Sequence, residues 1–173
     1  MNKSELEKQF IDTVRQHERM IYKVCSFYVS DELPMDDLYQ EVVYYLWRGF
    51  AKFKGECNVS TWIYRVTLNT CISGVRKENR QPKSSVSVST LEEPLHETEQ
   101  PEMEEKIREM YGLINRLSTI EKAIVLLYLE EKSYQEIADI TGLTLPNVAV
   151  KLKRAKDKMR KMNEQLKNKN LWN

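Results

Sequence analysis

The sequence predicts an all-α protein made of two small helical domains joined by a flexible acidic linker. Three observations predict it. The 173 residues include only 5 Gly and 5 Pro, so there is little turn chemistry to build a sheet. Apolar residues recur at three- and four-residue steps along most of the chain. One stretch, QPKSSVSVSTLEEPLHETEQPE, has no such recurrence and no aromatic residue. Composition of that kind cannot bury enough surface to offset its ordering entropy. The predicted boundaries are a helical domain at 1–80, an extended acidic tether at 81–105 and a second helical domain at 106–173.

Charge follows the same division. The net charge of +1 implies no particular partner, but its distribution does. Residues 81–105 carry one Lys and seven Glu, whereas residues 145–173 hold nine basic and two acidic side chains. A basic terminal segment beyond an acidic tether is the pattern of a nucleic-acid-binding module.

The first domain reads as three or four helices. A pattern over about 4–29 carries Leu6, Phe10, Val14, Ile21, Val24 and Tyr28, with a possible break near His17. DELP interrupts it. Pro34, Asp36 and Asp37 suit the next helix's first turn, where the macrodipole favours negative charge. In MDDLYQEVVYYLWRGF, Leu38, Val42, Tyr45 and Leu46 form one apolar side, and Tyr39, Val43, Trp47 and Phe50 form a second. A helix apolar on two sides is either enclosed or holds a partner. Enclosure is hard to achieve in about 80 residues, which favours a partner. KFKGECNVS reads as a loop bearing Lys52, Phe53, Lys54 and Asn58.

The domain's last helix, TWIYRVTLNTCISGVRKENR, sorts its residues sharply when wound at about 100° per residue. Tyr64, Leu68, Cys71, Ile72 and Val75 share one arc. Trp62, Arg65, Asn69, Thr70, Ser73, Arg76, Lys77 and Arg80 share the other, and the one acid, Glu78, points to the edge of the apolar arc. A solvated face usually mixes both charge signs; this one offers cations, hydrogen-bonding groups and a tryptophan. Phosphate contacts give affinity and base edges give specificity. Arg65, Arg76 and Lys77 suit the first task, and Asn69, Thr70 and Ser73 the second. Trp62 suits stacking on an unpaired base.

The second domain contains a helix-turn-helix. Ser118 or Thr119 starts one helix, and Ser133 caps YQEIADIT with Glu136 three residues on, a capping box. Ala138, Gly142 and Val148 supply the small residue, the turn and the apolar plug that the motif needs. In the following helix Val148, Leu152, Ala155, Met159 and Met162 form a core stripe. Asn147, Val150, Lys151, Arg154, Lys158 and Lys161 face outward, and Asn147, Lys151 and Arg154 lie near the end that enters a major groove.

Other chemistries find little support. Cys25, Cys57 and Cys71 are odd in number and widely spaced, and His17 and His96 are far apart. No zinc spacing and no nucleophile–base arrangement results, and reduced thiols in a cytoplasm are the expectation. No run approaches the ~18 apolar residues of a membrane span. Neither a metal, a cofactor, membrane insertion nor catalysis is expected.

DDLYQEVVYYLW, then FKGECNVSTWIYRVTLNTCISGVRK, then SYQEIADITGLTLPNVAVKLKRAKDKMR together resemble the extracytoplasmic-function (group IV) sigma factors of bacterial RNA polymerase. The resemblance runs in order over nearly the whole chain. It implies a region 2-like bundle and a region 4-like helix-turn-helix domain. Asp36, Asp37, Leu38, Gln40, Glu41 and Trp47 would bind the β′ clamp helices of core polymerase. Lys52, Lys54 and Asn58 would sit in the loop that helps open the promoter and hold a flipped base. Trp62, Arg65, Asn69, Ser73, Arg76 and Lys77 would meet the minus-ten element. Ser133, Tyr134, Gln135, Thr144, Asn147, Val150, Lys151, Lys153, Arg154 and Lys158 would meet the minus-thirty-five element. The helix beginning at Ser118 or Thr119 would also lie against the β flap, the linker would thread toward the RNA exit, and an anti-sigma factor would occlude the polymerase-binding surfaces. Two departures stand out: KENRQ replaces the family's dense Arg run, and TLPNV opens the recognition helix where a small or hydroxyl residue and Gly are common. Two other readings remain. A LuxR-like regulator would use the N-terminal domain to sense or dimerise, and a helical adaptor would bind protein alone.

Overall fold

The computed structural model describes residues 3–80 and 101–170, so positions 81–100 of the tether expected at 81–105 lie outside the described residues. The described residues are helical in two compact units, each with its own core. They contain no named strand, only an isolated bridge between Ser30 and Leu33.

Among the described residues the first unit holds three helices: α1 (Lys3–Ser26), α2 (Met35–Phe50) and α3 (Val59–Arg80). α1 runs unbroken through His17, where the sequence allowed a break. There the ring Nδ1 donates to the Thr13 carbonyl at 2.8 Å, which leaves the helical ladder intact. Phe10, Ile21, Val24 and Cys25 bury its inner face. In the turn to α2 the Ser30 hydroxyl accepts from the Leu33 amide at 3.1 Å. Pro34 in extended backbone then starts α2, with Asp36 and Asp37 in the first turn as expected. Leu38, Val42 and Leu46 are wholly enclosed. Burial on this scale stabilises by ~2 kcal/mol per side chain.

α3 starts at an Asn58 cap. The Asn58 Oδ1 accepts from the Ser60 amide at 3.0 Å and from the Ser60 hydroxyl at 3.1 Å, which satisfies an otherwise orphaned first-turn donor. The predicted core arc of Tyr64, Leu68, Cys71 and Ile72 is buried. Ile63, Thr67 and Thr70 are buried with it. Thr70 therefore does not belong to the outward face. Its hydroxyl folds back to the Val66 carbonyl at 2.8 Å, which makes burial of the oxygen tolerable. Cys25 and Cys71 bring their sulfurs to 3.9 Å between α1 and α3, and that contact, then burial, pushes the Cys71 thiol well above its ordinary range.

The second unit holds α4 (Pro101–Asn115), α5 (Thr119–Leu129), α6 (Tyr134–Thr141) and α7 (Leu145–Asn170). The sequence reading missed α4 and assigned its first turns to the tether. Pro101 occupies the first helical position, where a missing N–H costs nothing. The buried Leu113 and Ile114 tie the helix to the core. Helix α4 therefore extends five residues into the segment expected to be tether, from 101 to 105. α5 is the central helix, with Ala123 to Leu127 buried on every side. It ends in a Schellman arrangement: Glu131 at φ 57 donates to the Tyr128 carbonyl, and Lys132 donates to that of Leu127.

Candidate nucleic-acid interface

The turn of the helix-turn-helix forms as the sequence predicts. The Ser133 hydroxyl accepts from the Glu136 amide at 3.2 Å, and the Glu136 carboxylate accepts from the Ser133 amide at 2.8 Å. Hydrogen bonds to that carboxylate from the Ser133 amide, and then from its side chain, hold the Glu136 carboxyl below the usual range. Ser133 is thus committed to capping. Gly142 closes α6 at φ 74, a left-handed position that suits glycine, and its amide donates to Ala138 at 2.9 Å. Val148, Leu152 and Ala155 then bury the inner face of α7.

This seating presents the first turns of α7 to solvent. Thr144, Asn147, Lys153 and Arg154 are exposed, and Lys151 is half-buried. Leu145 and Val150 are also exposed, at 45% and 47%. Apolar groups beside amides and cations suit a major groove, where thymine methyls and base edges alternate. Tyr134 and Gln135 are exposed on α6, though Gln135 donates to Asp139 at 3.0 Å. Lys158 lies apart: its ammonium binds the Glu121 carboxylate of α5 at 2.5 Å.

In the first unit, α3 presents Arg65, Asn69, Ser73, Arg76 and Lys77 to solvent, as predicted. Trp62 departs from the prediction. It is half-buried, stacked on Phe53 with centroids 5.0 Å apart and rings 28° from parallel. Its edge lies so close to Gly49 that a Cβ there would come within 2.9 Å of the ring. Phe10, Trp47 and Phe50 extend this row of rings, with Phe10 5.0 Å from Trp47 and 5.4 Å from Phe50, and Phe50 6.3 Å from Trp62. Phe53, absent from the predicted site, is what anchors the loop. Lys52 and Lys54 flank it and are exposed.

On α2, Asp36, Asp37, Gln40, Glu41 and Trp47 are exposed. Leu38 is not. At 0% exposure it is a core residue and offers no surface to a partner. Tyr44 and Tyr45 supply exposed apolar area instead, at 53% and 43%. Glu41 and Tyr45 also line a cleft of about 440 Å³ with Val66, Asn69, Thr70 and Ser73 of α3. Glu41 therefore borders the face predicted for DNA as well as the face predicted for protein, which a helical wheel of α2 alone does not reveal.

Comparison with known proteins agrees with this geometry. Residues 13–81 match the family Sigma-70 region 2, and residues 107–159 match Sigma-70, region 4. The ECF RNA polymerase sigma-E factor of Escherichia coli K12 is 29% identical over 164 residues, covering 87% of this chain and 84% of that protein. The sigma-E factor of Haemophilus influenzae is 27% identical over 163 residues, 87% of this chain and 85% of that one. The RNA polymerase sigma factor YlaC of Bacillus subtilis is 26% identical over 131 residues, 72% of this chain and 75% of that one. Among solved structures, the sigma factor RpoE in complex with the anti-sigma factor NepR from Bartonella quintana shares the fold at TM-score 0.69 and 19% identity, over 91% of this chain and 98% of that one. CnrH, in complex with the cytosolic domain of CnrY, shares it at TM-score 0.64 and 18% identity, over 92% and 90%. Sigma-70 regions 2 and 4 in this order define an RNA polymerase sigma factor. This chain belongs to the extracytoplasmic-function branch of that family. The regulator and adaptor readings are not favoured.

Proposed function

We propose that this protein directs core RNA polymerase to promoters in the cytoplasm, reads the minus-ten element with α3 and the 51–58 loop, and reads the minus-thirty-five element with α7. It performs no catalysis itself and lends recognition and strand opening to the polymerase. One observation carries this reading. Every exposed side chain described on α3 is a cation, an amide or a hydroxyl. Such a face, with no exposed acid among the cations, suits phosphates and unpaired base edges. Asp36, Asp37, Gln40 and Trp47, with Tyr44 and Tyr45, form the polymerase-binding surface on α2. The complexes of RpoE with NepR and of CnrH with CnrY support an inhibitory protein partner for this chain as well. No helix among the described residues is long and apolar enough to cross a membrane.

The test is runoff transcription from genomic fragments by core polymerase supplemented with this chain, followed by permanganate footprinting. Asn69→Ala should spare initial duplex binding by the holoenzyme and reduce the reactivity of unpaired thymines. Asp37→Lys should weaken core binding without changing helicity. Wild-type reactivity in the first variant, or wild-type core affinity in the second, would remove the corresponding assignment. Asn69 is a cleaner probe than Trp62, whose ring also packs on Phe53 and Gly49.

A further inference from the structure

We propose that Lys156 and Lys158 brace the recognition helix against α5 from opposite sides, so that Glu121, Tyr128 and these two lysines are positioning residues and Lys158 is not a DNA contact. The inference rests on the reading of α7 as the minus-thirty-five reader. Its basis is a pair of contacts either side of one helix. Lys156 places its ammonium 3.7 Å from the centroid of the Tyr128 ring, and Lys158 places its own 2.5 Å from the Glu121 carboxylate. Residues two positions apart on an α-helix diverge by about 200°, so the two lysines leave α7 on nearly opposite sides. Their partners lie on one helix, about two turns apart. α7 is thereby held like a beam between two outriggers.

The apolar seam alone does not set this alignment so closely. Val148, Leu152 and Ala155 repeat at steps of four and three, and such a seam fits by shape while tolerating small rotations and slides. The charged contacts single out one azimuth. The Glu121 carboxylate divides its work. Oε2 accepts from the Ser118 amide at 3.1 Å and the Ser118 hydroxyl at 2.7 Å, closing the start of α5, and Oε1 accepts from Lys158. The Glu121 side chain is only one-tenth exposed, which places it beneath α7 and out of reach of DNA. Burial raises its carboxyl, but the bonds from Lys158 and Ser118 outweigh burial and hold it ionised below the usual range. A side chain that cannot touch DNA is thus tied directly to the helix that reads it.

The experiment uses holoenzyme on duplexes that carry the preferred minus-thirty-five element or one changed base pair, over a range of salt. Lys158→Met, Lys156→Met and Glu121→Gln should each lower the affinity ratio between the two duplexes by about three- to tenfold and leave the salt slope unchanged. Glu121→Gln keeps an acceptor for Ser118, so α5 remains capped. The Lys158→Met/Glu121→Gln double variant should be no worse than either single one, and Lys158→Arg should restore discrimination. Lys151→Met and Arg154→Met, as controls, should lower the salt slope by roughly one unit when a phosphate contact is lost. A slope lowered by one in Lys158→Met, with Glu121→Gln indistinguishable from wild type, would make Lys158 a phosphate contact and overturn the proposal. Undiminished discrimination in all three variants would also overturn it. A wild-type holoenzyme with no preference between the duplexes would refute the minus-thirty-five reading and the positioning role with it. The bridge itself is separately visible in the free chain, where Lys158→Met must move the Glu121 carboxyl resonance to a higher titration midpoint.

Discussion

Replacing Gly49 with alanine should weaken the first unit, and the same replacement should strengthen it once Trp62 is gone. A Cβ at Gly49 would lie 2.9 Å from Cζ2 of Trp62, and the next two atoms, Cε2 and Cη2 at 3.8 Å, belong to the same indole. Ordinary contact requires the ring to retreat by about 0.5 Å. Retreat is resisted because the indole already stacks on Phe53. Overpacking of this kind costs ~1–3 kcal/mol. Alanine in a helix returns up to ~1 kcal/mol relative to glycine. The net effect is a loss of about 0–2 kcal/mol in the wild-type background. With Trp62→Ala the clash has no partner, so Gly49→Ala should gain up to ~1 kcal/mol. The coupling between the two sites is then ~1–3 kcal/mol, well above the few tenths expected for independent positions. Urea unfolding read through amide exchange at Leu38, Val42 and Leu46 reports on this unit alone. Additive effects within ~0.5 kcal/mol would refute the close approach as the reason for the glycine.

Three further outcomes follow. Glu131→Gly should stabilise the second unit by ~0.5–1 kcal/mol, seen as a rise of several degrees in its melting temperature, because Glu131 holds a left-handed φ of 57 that glycine adopts freely; an unchanged or lower melting temperature would refute this. Burial pushes the Lys122 ammonium down to about 8. Below that pH the lysine is charged in both states and its burial opposes folding. Between about 8 and its ordinary value the unfolded chain binds more protons, so stability rises with pH. The advantage of Lys122→Met over wild type, measured by urea unfolding, should therefore be largest at neutral pH and shrink across that window. Finally, a thiol reagent at pH 8 should modify the half-buried Cys57 in the native protein and reach Cys25 and Cys71 only on unfolding, since both are fully enclosed.

What the sequence makes legible here is local. A capping box, a turn glycine and a run of apolar residues every third or fourth position all lie within one helix or its ends. That is why the extents of α2, α3 and α6 and the buried stripe of Val148, Leu152 and Ala155 are legible in the sequence. Glu102, Glu104 and Glu105 disguise the start of α4 as acidic tether, although Pro101 and the spacing of Ile107, Met110, Leu113 and Ile114 mark a helix. The helical wheel of α2 sets Leu38 with Val42 and Leu46, on the side the domain covers, and only the family resemblance points it toward a partner. The wheel of α3 places Trp62 outward. Its true neighbours, Gly49 and Phe53, come from another helix and a loop. Lys158 meets Glu121 37 positions earlier in the chain, a distance at which periodicity carries no information.

The row of rings has a consequence for how the 51–58 loop is inherited. Phe53 takes its position from Trp62, Trp62 lies beside Phe50, and Phe50 and Trp47 both rest on Phe10 of α1. The loop is therefore not a portable cassette. Grafting residues 51–58 into another helical frame would transfer the letters and leave behind the stack that shapes them. Phe10, Trp47, Phe50 and Trp62 have to travel with it, and a relative that changes one of these rings is free to change the loop without altering a residue inside it.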